Sequence, residues 1–357
     1  MRPSRGALSL ALLLGSVNAG CVNFRPPPVP LAASVAGDAP TRVWTGRVGR
    51  RLTGNVEVQE NTLYAGGMDR KVYAVDLASG EVRWSSRLSG MVVGGVLLSG
   101  DTVFVATSRP EGRIQALHKA KGKRLWRVSA NPIAAPLALI EGTLIAETQR
   151  GEVLALDPRN GKVRWRRRVG TARGAATPAG AGALLVSTTD SLFRLLLADG
   201  KITHRANSPG AVLSSWLPYN GALVAGTADS QIVSIRPADL RYNWIRRVDA
   251  PILDTPAQMA DTLFVATRVG SLYRIEPGAD PKVARLVQLG WPVTAPITTA
   301  DGQLFLGGAD GTIRALRTDG SEVWRLRIWR PVEMGLIPLA DGLVAIGGNG
   351  DLHRYRR

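Results

Sequence analysis

One cysteine and three histidines are all the thiol and imidazole chemistry in 357 residues. Cys21 has no partner for an intrachain disulfide. Its place gives it meaning. It follows the basic residues Arg2 and Arg5, an apolar run from Ala7 to Gly15, and the small-residue stretch Val17-Asn18-Ala19-Gly20. That order marks a secretory signal, and the apolar run is too short to span a bilayer. Two cleavage sites compete. Cutting before Cys21 leaves a cysteine ready for acylation; cutting before Gly20 follows the ordinary Val17-x-Ala19 pattern. The lone cysteine at the end of the apolar stretch favours lipidation at Cys21. Several acyl chains, at about 0.8 kcal/mol per buried methylene, then hold the protein on a membrane surface. Val22 to Pro40 is rich in proline and small residues and reads as a tether.

The histidines, His118, His204 and His353, each fall inside a repeated unit, at places where sister units carry non-ligands. No metal site is expected. The 28 carboxylates are sparse against 45 Lys and Arg, giving a formal charge of +17. Such a balance attracts polyanions at long range. It is equally the mark of an arginine-rich proteome, and no nucleic-acid-reading motif accompanies it. Neither a small-molecule substrate nor a specific nucleic acid is implied.

The element that must carry everything else is a repeat. One short strand returns eight times: Thr62–Gly67, Thr102–Thr107, Thr143–Thr148, Ala183–Thr188, Ala222–Thr227, Thr262–Thr267, Gln303–Gly308 and Leu343–Gly348. A period near 40 residues with Gly-rich turns predicts an all-β chain, a single eight-bladed β-propeller of four antiparallel strands per blade. A unit repeated eight times is no unique active site, so an enzyme is not expected. Within a repeat, the inner strand is expected to start near residues such as Ala134-Ala135-Pro136 or Ala295-Pro296. A third strand such as Lys71–Asp76 and a fourth carrying tryptophan follow.

The fourth-strand tryptophans are Trp84, Trp126, Trp165, Trp244 and Trp324, with His204 and Ala284 at the same place in two repeats. An indole buries much apolar area and finds a carbonyl for its N–H, so these residues are expected to fasten blade to blade. The last repeat ends on a third strand. Its missing fourth strand is Thr41-Arg42-Val43-Trp44, which predicts that the N-terminal strand completes the C-terminal blade and hides a sheet edge. Residues 1–20 thus read as a signal peptide, 21–40 as a lipidated tether and 41–357 as the propeller.

Three tryptophans lie outside the repeat position: Trp216, Trp291 and Trp329, the last beside Arg330. They fall in or near the links from a fourth strand to the next inner strand. Aromatic residues and arginine are frequent anchors of protein contacts, and these residues are candidates for a partner-binding surface. Lining the channel mouth is the alternative.

The unit Ala74-x-Asp76-x-x-x-Gly80-x-x-x-Trp84 recurs at Ala155–Trp165 and, with His118 for Asp, at Ala116–Trp126. It resembles the repeat of quinoprotein (PQQ-type) propellers. Within them, the chain resembles the BamB family of outer-membrane β-barrel assembly lipoproteins in length, start, tether, opening strand Thr41–Gly49 and blade count. The resemblance implies a non-catalytic scaffold, lipid-anchored to the outer membrane and facing the periplasm. Its links between middle blades would dock onto the soluble arm of the barrel-insertion protein. The corresponding links here are Asn207–Ser215 and Asp249–Thr255, with Asp254-Thr255-Pro256 similar to the family pattern. The arginine expected in the first link is absent, and Arg205 is out of register. No cofactor is implied, because the adjacent cysteines and calcium carboxylates of the dehydrogenase branch are missing. A binding module for a polyanion or another envelope protein remains the alternative, with a quinone-dependent dehydrogenase behind it.

Overall fold

The computed structural model describes residues 39–276, 278–328 and 330–357. Residues 1–38, which hold the signal reading, Cys21 and most of the tether, lie outside them, as does Trp329. Every regular element among the described residues is a β-strand, and there are 32. They form six four-stranded sheets and one of eight strands. Each of the first seven repeats supplies an inner, a second, a third and a fourth strand, paired antiparallel in sequence order; the eighth supplies three, and the opening strand Thr41–Arg47 is the fourth of its sheet.

Burial explains the composition of the strands. Thr62–Gly67 is buried throughout, and Ala183–Ser187 likewise. Such strands pack neighbours on both faces, so they read as apolar runs, not as alternations. The fourth strands alternate exposed and half-buried, as in Val82–Arg87 and Arg124–Ser129. Apolar clusters fill each junction between consecutive repeats; Ile145, Trp165, Leu184 and Phe193, for example, meet between the third and fourth. Another joins Val344, Ile346 and Leu352 of the eighth repeat to Leu52, Leu63 and Val75 of the first. The opening strand Thr41–Arg47 pairs antiparallel with Asp351–Arg356, from Thr41↔Arg356 to Arg47↔Asp351.

The tryptophan motif has a common geometry. Trp84 stands opposite Ala74, Trp126 opposite Ala116 and Trp165 opposite Ala155, each small partner leaving room for the ring. The indole N–H then donates to a carbonyl of the next repeat: Trp44 to Leu77 (3.2 Å), Trp84 to Lys119 (2.9 Å), Trp126 to Pro158 (2.9 Å) and Trp165 to Leu197 (2.8 Å). Three residues beyond each acceptor sits a glycine with positive φ, such as Gly122 (+64°) or Gly200 (+70°). A Cβ there would run into the indole. The glycine is therefore required twice, by its backbone and by its neighbour. Asp76 holds the same turn by accepting the amides of Ala78 (2.8 Å) and Ser79 (3.0 Å). His118 does this work through Nδ1 and the amide of Ala120 (3.2 Å). Where His204 stands in for tryptophan, the next turn carries Leu240 in place of glycine. Leu240 adopts φ +60° and is 1% exposed, packing with Ala206 of the fourth repeat.

Two differences from the sequence reading concern the inner strands. In the third and seventh repeats the inner strand does not begin at Ala134-Ala135-Pro136 or Ala295-Pro296 but later, as Ala138–Ile140 and Thr298–Ala300. Proline has no N–H for the ladder, so pairing starts beyond it. Isolated bridges, Ile133↔Thr148 and Val293↔Gly308, take the place of the missing half. In the first, second and eighth repeats the inner strand is eight residues long: Leu52–Gln59, Val92–Ser99 and Val332–Leu339. Each is bulged. Also, repeats one and two are not separate sheets. Their inner strands touch through the parallel bridge Asn55↔Gly95. Gly54 (φ +69°) and Gly95 (φ +85°) allow this, because neither backbone has a side chain to hold the other away.

Candidate functional site

The links from fourth to inner strands and the turns from second to third strands meet at one end of each repeat. Backbone bonds tie them: Arg268 N–H to Pro251 O (2.9 Å) in the sixth repeat and Ala228 N–H to Ala211 O (2.8 Å) in the fifth. The two neighbouring links also bond each other, since Thr255 Oγ1 donates to the Ser215 carbonyl (3.1 Å). Val212 and Ile252 anchor them from below, 0% and 1% exposed. The next residue on each link turns outward: Leu213 is 38% exposed and Leu253 37%. Val269, on the adjoining turn, is 50% exposed. Three large aliphatic side chains thus stand free, two on the bonded links and one on the adjoining turn.

Acidic groups flank them. Asp249 accepts the Ser271 hydroxyl and lies 3.9 Å from the Arg285 guanidinium. Asp254 is half-buried, and burial pushes its carboxyl up to about 6. Asp229 lies against Gly210, and a Cβ on that glycine would strike its carboxylate. The arginine expected in the first link has no substitute in Arg205. Arg205 turns back onto its own repeat, its guanidinium 5.3 Å from the Phe193 ring centre and donating to Ser191 Oγ (3.2 Å).

The link tryptophans are elsewhere than a contact surface requires. Trp216 is 3% exposed and donates its N–H to Ser187 Oγ (2.6 Å), filling the junction of repeats four and five. Trp291 is 9% exposed, packed between repeats six and seven beneath the Arg314 guanidinium at 5.4 Å. Its indole N–H is buried with no partner among the described residues. Reading them as partner anchors is corrected on this ground. Each occupies a seam where the repeat-wide tryptophan is missing, beside His204 or Ala284. Burying indole area there compensates for the loss. Arg330 is exposed and paired with Asp351 at 3.1 Å.

Two features went unnoticed in the sequence. The pattern Leu213/Leu253 is legible there only once the links are known to be adjacent. Glu147 was legible outright. It stands at the fifth place of the second strand, where other repeats have Gly66, Ala106, Ser187, Gly226, Ala266, Gly307 and Gly347. It is 3% exposed, and neither carboxylate oxygen finds a partner among the described residues. Burial pushes its pKa well above the usual carboxylate range. Among the described residues, no cluster of three or more His, Cys, Asp or Glu side chains is placed to hold a metal ion.

The sheets, seams and repeat motif define a β-propeller of PQQ-like repeats. A family model described as outer membrane protein assembly factor BamB matches residues 33–181. The BamB of Bordetella pertussis is 25% identical over 392 residues, covering 89% of this chain and 98% of that protein. The BamB of Yersinia pestis is 24% identical over 282 residues, covering 62% and 71%. That of Pseudomonas aeruginosa is 32% identical over 200 residues, about half of each chain. The crystal structure of BamB from Moraxella catarrhalis has the same fold, with a TM-score of 0.74 at 15% identity, covering 89% of this chain and all of that one. These matches make the chain similar to the BamB family in sequence and in fold.

Proposed function

We propose that this chain is a non-catalytic scaffold in the assembly of outer-membrane β-barrel proteins. It docks onto the soluble arm of the barrel-insertion protein through the joined links of repeats five and six. The observation that carries the reading is the exposed trio Leu213, Leu253 and Val269, flanked by Asp249, Asp254 and Thr255 on links that bond each other. Apolar centres with a charged margin are the composition of a protein contact. The relatives, named as outer membrane protein assembly factors, point the same way.

The scaffold is read as one ring of eight blades spanning residues 41–357. The pairing of Thr41–Arg47 with Asp351–Arg356 and the seam between repeats eight and one support that closure. The indole seams of Trp44, Trp84, Trp126, Trp165, Trp244 and Trp324 are read as its fastenings. An acylated Cys21 would hold the ring on the outer membrane, facing the periplasm. The carboxylates that burial pushes upward, Glu57, Glu147 and Asp254, stand on separate repeats. What converges is apolar contact, which favours a docking role over catalysis.

The test is crosslinking in intact envelopes with wild type and Leu253→Glu or Asp254→Arg chains. Wild type should trap the barrel-insertion protein, and both variants should lose the adduct while melting at unchanged temperature. Unimpaired trapping by both variants would retire this surface.

A further inference from the structure

We infer that the rim of repeats one and two is a second surface, one that binds the anionic phospholipid headgroups of a membrane. Two adjoining depressions lie there, of about 600 and 620 Å³. Arg50, Lys71 and Arg87 line the first, Arg109, Met91 and Pro110 the second, and Met68 and Arg70 belong to both. The backbone fixes this arrangement. Met68 N–H donates to Arg51 O (2.9 Å), Leu88 N–H to Arg70 O (2.8 Å) and Met91 N–H to Arg109 O (2.9 Å).

The charge gathered in these depressions is unopposed. At its margins, arginines are matched: Arg47 with Asp351 and Arg113 with Glu111. Within it, Arg50, Arg70, Arg87 and Arg109 are exposed and have no ion-pair partner among the described residues. The one carboxylate in the depressions, Asp69, accepts the Tyr73 hydroxyl (2.5 Å). Like charges gathered in a concave place focus a positive potential, which an anion relieves. Met68, 37% exposed, and the partly exposed Met91 give the same floor an apolar component. Guanidinium beside thioether matches a phosphate with the start of its acyl chains.

Position favours a bilayer over an acidic protein. The described chain begins at Ala39 and enters through Thr41–Arg47, the strand that runs directly into Arg50 and repeat one. The stretch from Cys21 to that strand reaches at most about 70 Å when extended. An N-terminal segment held on a membrane would thus enter the fold beside the basic rim. The choice of bilayer rests on the proposed lipid anchor; the basic rim itself does not. A weak polybasic contact is the usual second signal beside an acyl anchor.

The test uses the full chain carrying Cys21→Ser, so that acylation plays no part. Binding is measured by co-sedimentation with phosphatidylcholine vesicles with and without phosphatidylglycerol, at low and high salt. The expected result is capture only with phosphatidylglycerol, weakening with salt. Arg50→Glu/Arg70→Glu/Arg87→Glu should reduce it at least about tenfold. A control with the same charge change on the fourth strands, Arg124→Glu/Arg166→Glu/Arg168→Glu, should keep most of it. Equal loss in the control would overturn the local surface in favour of net charge. Capture by polyglutamate without any gain from phosphatidylglycerol would overturn it in favour of an acidic protein.

Discussion

Repeats five and six differ from repeats one and two in their inner strands and links, although all four are written on one template. In five and six the inner strands are three residues long, Leu217–Tyr219 and Ala257–Met259. The buried Trp216 directly precedes the first and Pro256 the second, and the links before them turn Leu213 and Leu253 outward. In one and two the inner strands run eight residues, and glycine lets their backbones touch. Their rim carries unpaired arginines. The lesson is that a propeller blade has two independent parts. Strands two to four are fixed by packing against both neighbours. The inner strand and its link are free to vary, and they set which partner each sector meets.

Four measurements can break or sharpen this contrast. The largest effect is expected where backbones touch. Gly54→Ala adds a Cβ well inside contact with Gly94 and Gly95, at a positive φ. It should cost roughly 3 kcal/mol or more in a denaturant titration, as strain and overlap add. Gly221→Ala, in the repeat-five hairpin at φ +76° with open space around it, should cost only about 1 kcal/mol. Equal costs would show that the contact of repeats one and two is not structural.

Next comes Glu147, in the third repeat between the two sectors. Its folded pKa is raised, so the stability linked to it is present at low pH and is lost as pH rises above the ordinary 4.5. Glu147→Ala restores the small residue of the sister repeats. It should stabilise by about 1–3 kcal/mol near pH 8, the usual cost of an unsatisfied buried polar group, and by less near pH 4. A melting temperature unchanged at both pH values would remove Glu147 as a source of strain.

The third measurement separates the surfaces. Leu253→Glu should weaken docking to the barrel-insertion protein by at least about tenfold, near 1.4 kcal/mol. Arg70→Glu should leave docking intact. Loss in both would merge the two sectors into one interface.

The smallest effect concerns pH. Asp254 titrates near 6 in the folded chain, against 3.8 in its absence. Its contribution to stability is therefore present below 3.8 and is lost as pH rises through 6. Docking that uses the carboxylate should run the other way, weakening a few-fold as pH falls from 7 to 5. Asp254→Asn should flatten both curves. A pH-independent affinity in the unmodified chain would take Asp254 out of the contact.

How far the sequence could be read follows from these same residues. Trp84, Gly122 and Ala74 were legible because each satisfies a local rule that recurs at fixed spacing. Ala138–Ile140 was placed too early, since a proline's missing N–H matters only against a partner strand. Trp216 and Trp291 were mistaken for surface anchors for a related reason. A link position says nothing of which way a side chain turns, and each turned into a seam left without its usual indole. Glu147 was visible as the one carboxylate among seven small residues, and only burial gave that oddity a meaning.

By itself the sequence determined the repeat, the strand order within it and the tryptophan–glycine seams. All of these arise from neighbours a fixed number of residues apart, so periodicity is enough to find them. The tertiary structure alone decided which links stand side by side, which tryptophans are buried, and where arginines gather without partners. Those facts depend on distances between chain segments about 40 residues apart and on what fills the space between them, and no spacing along the chain encodes that.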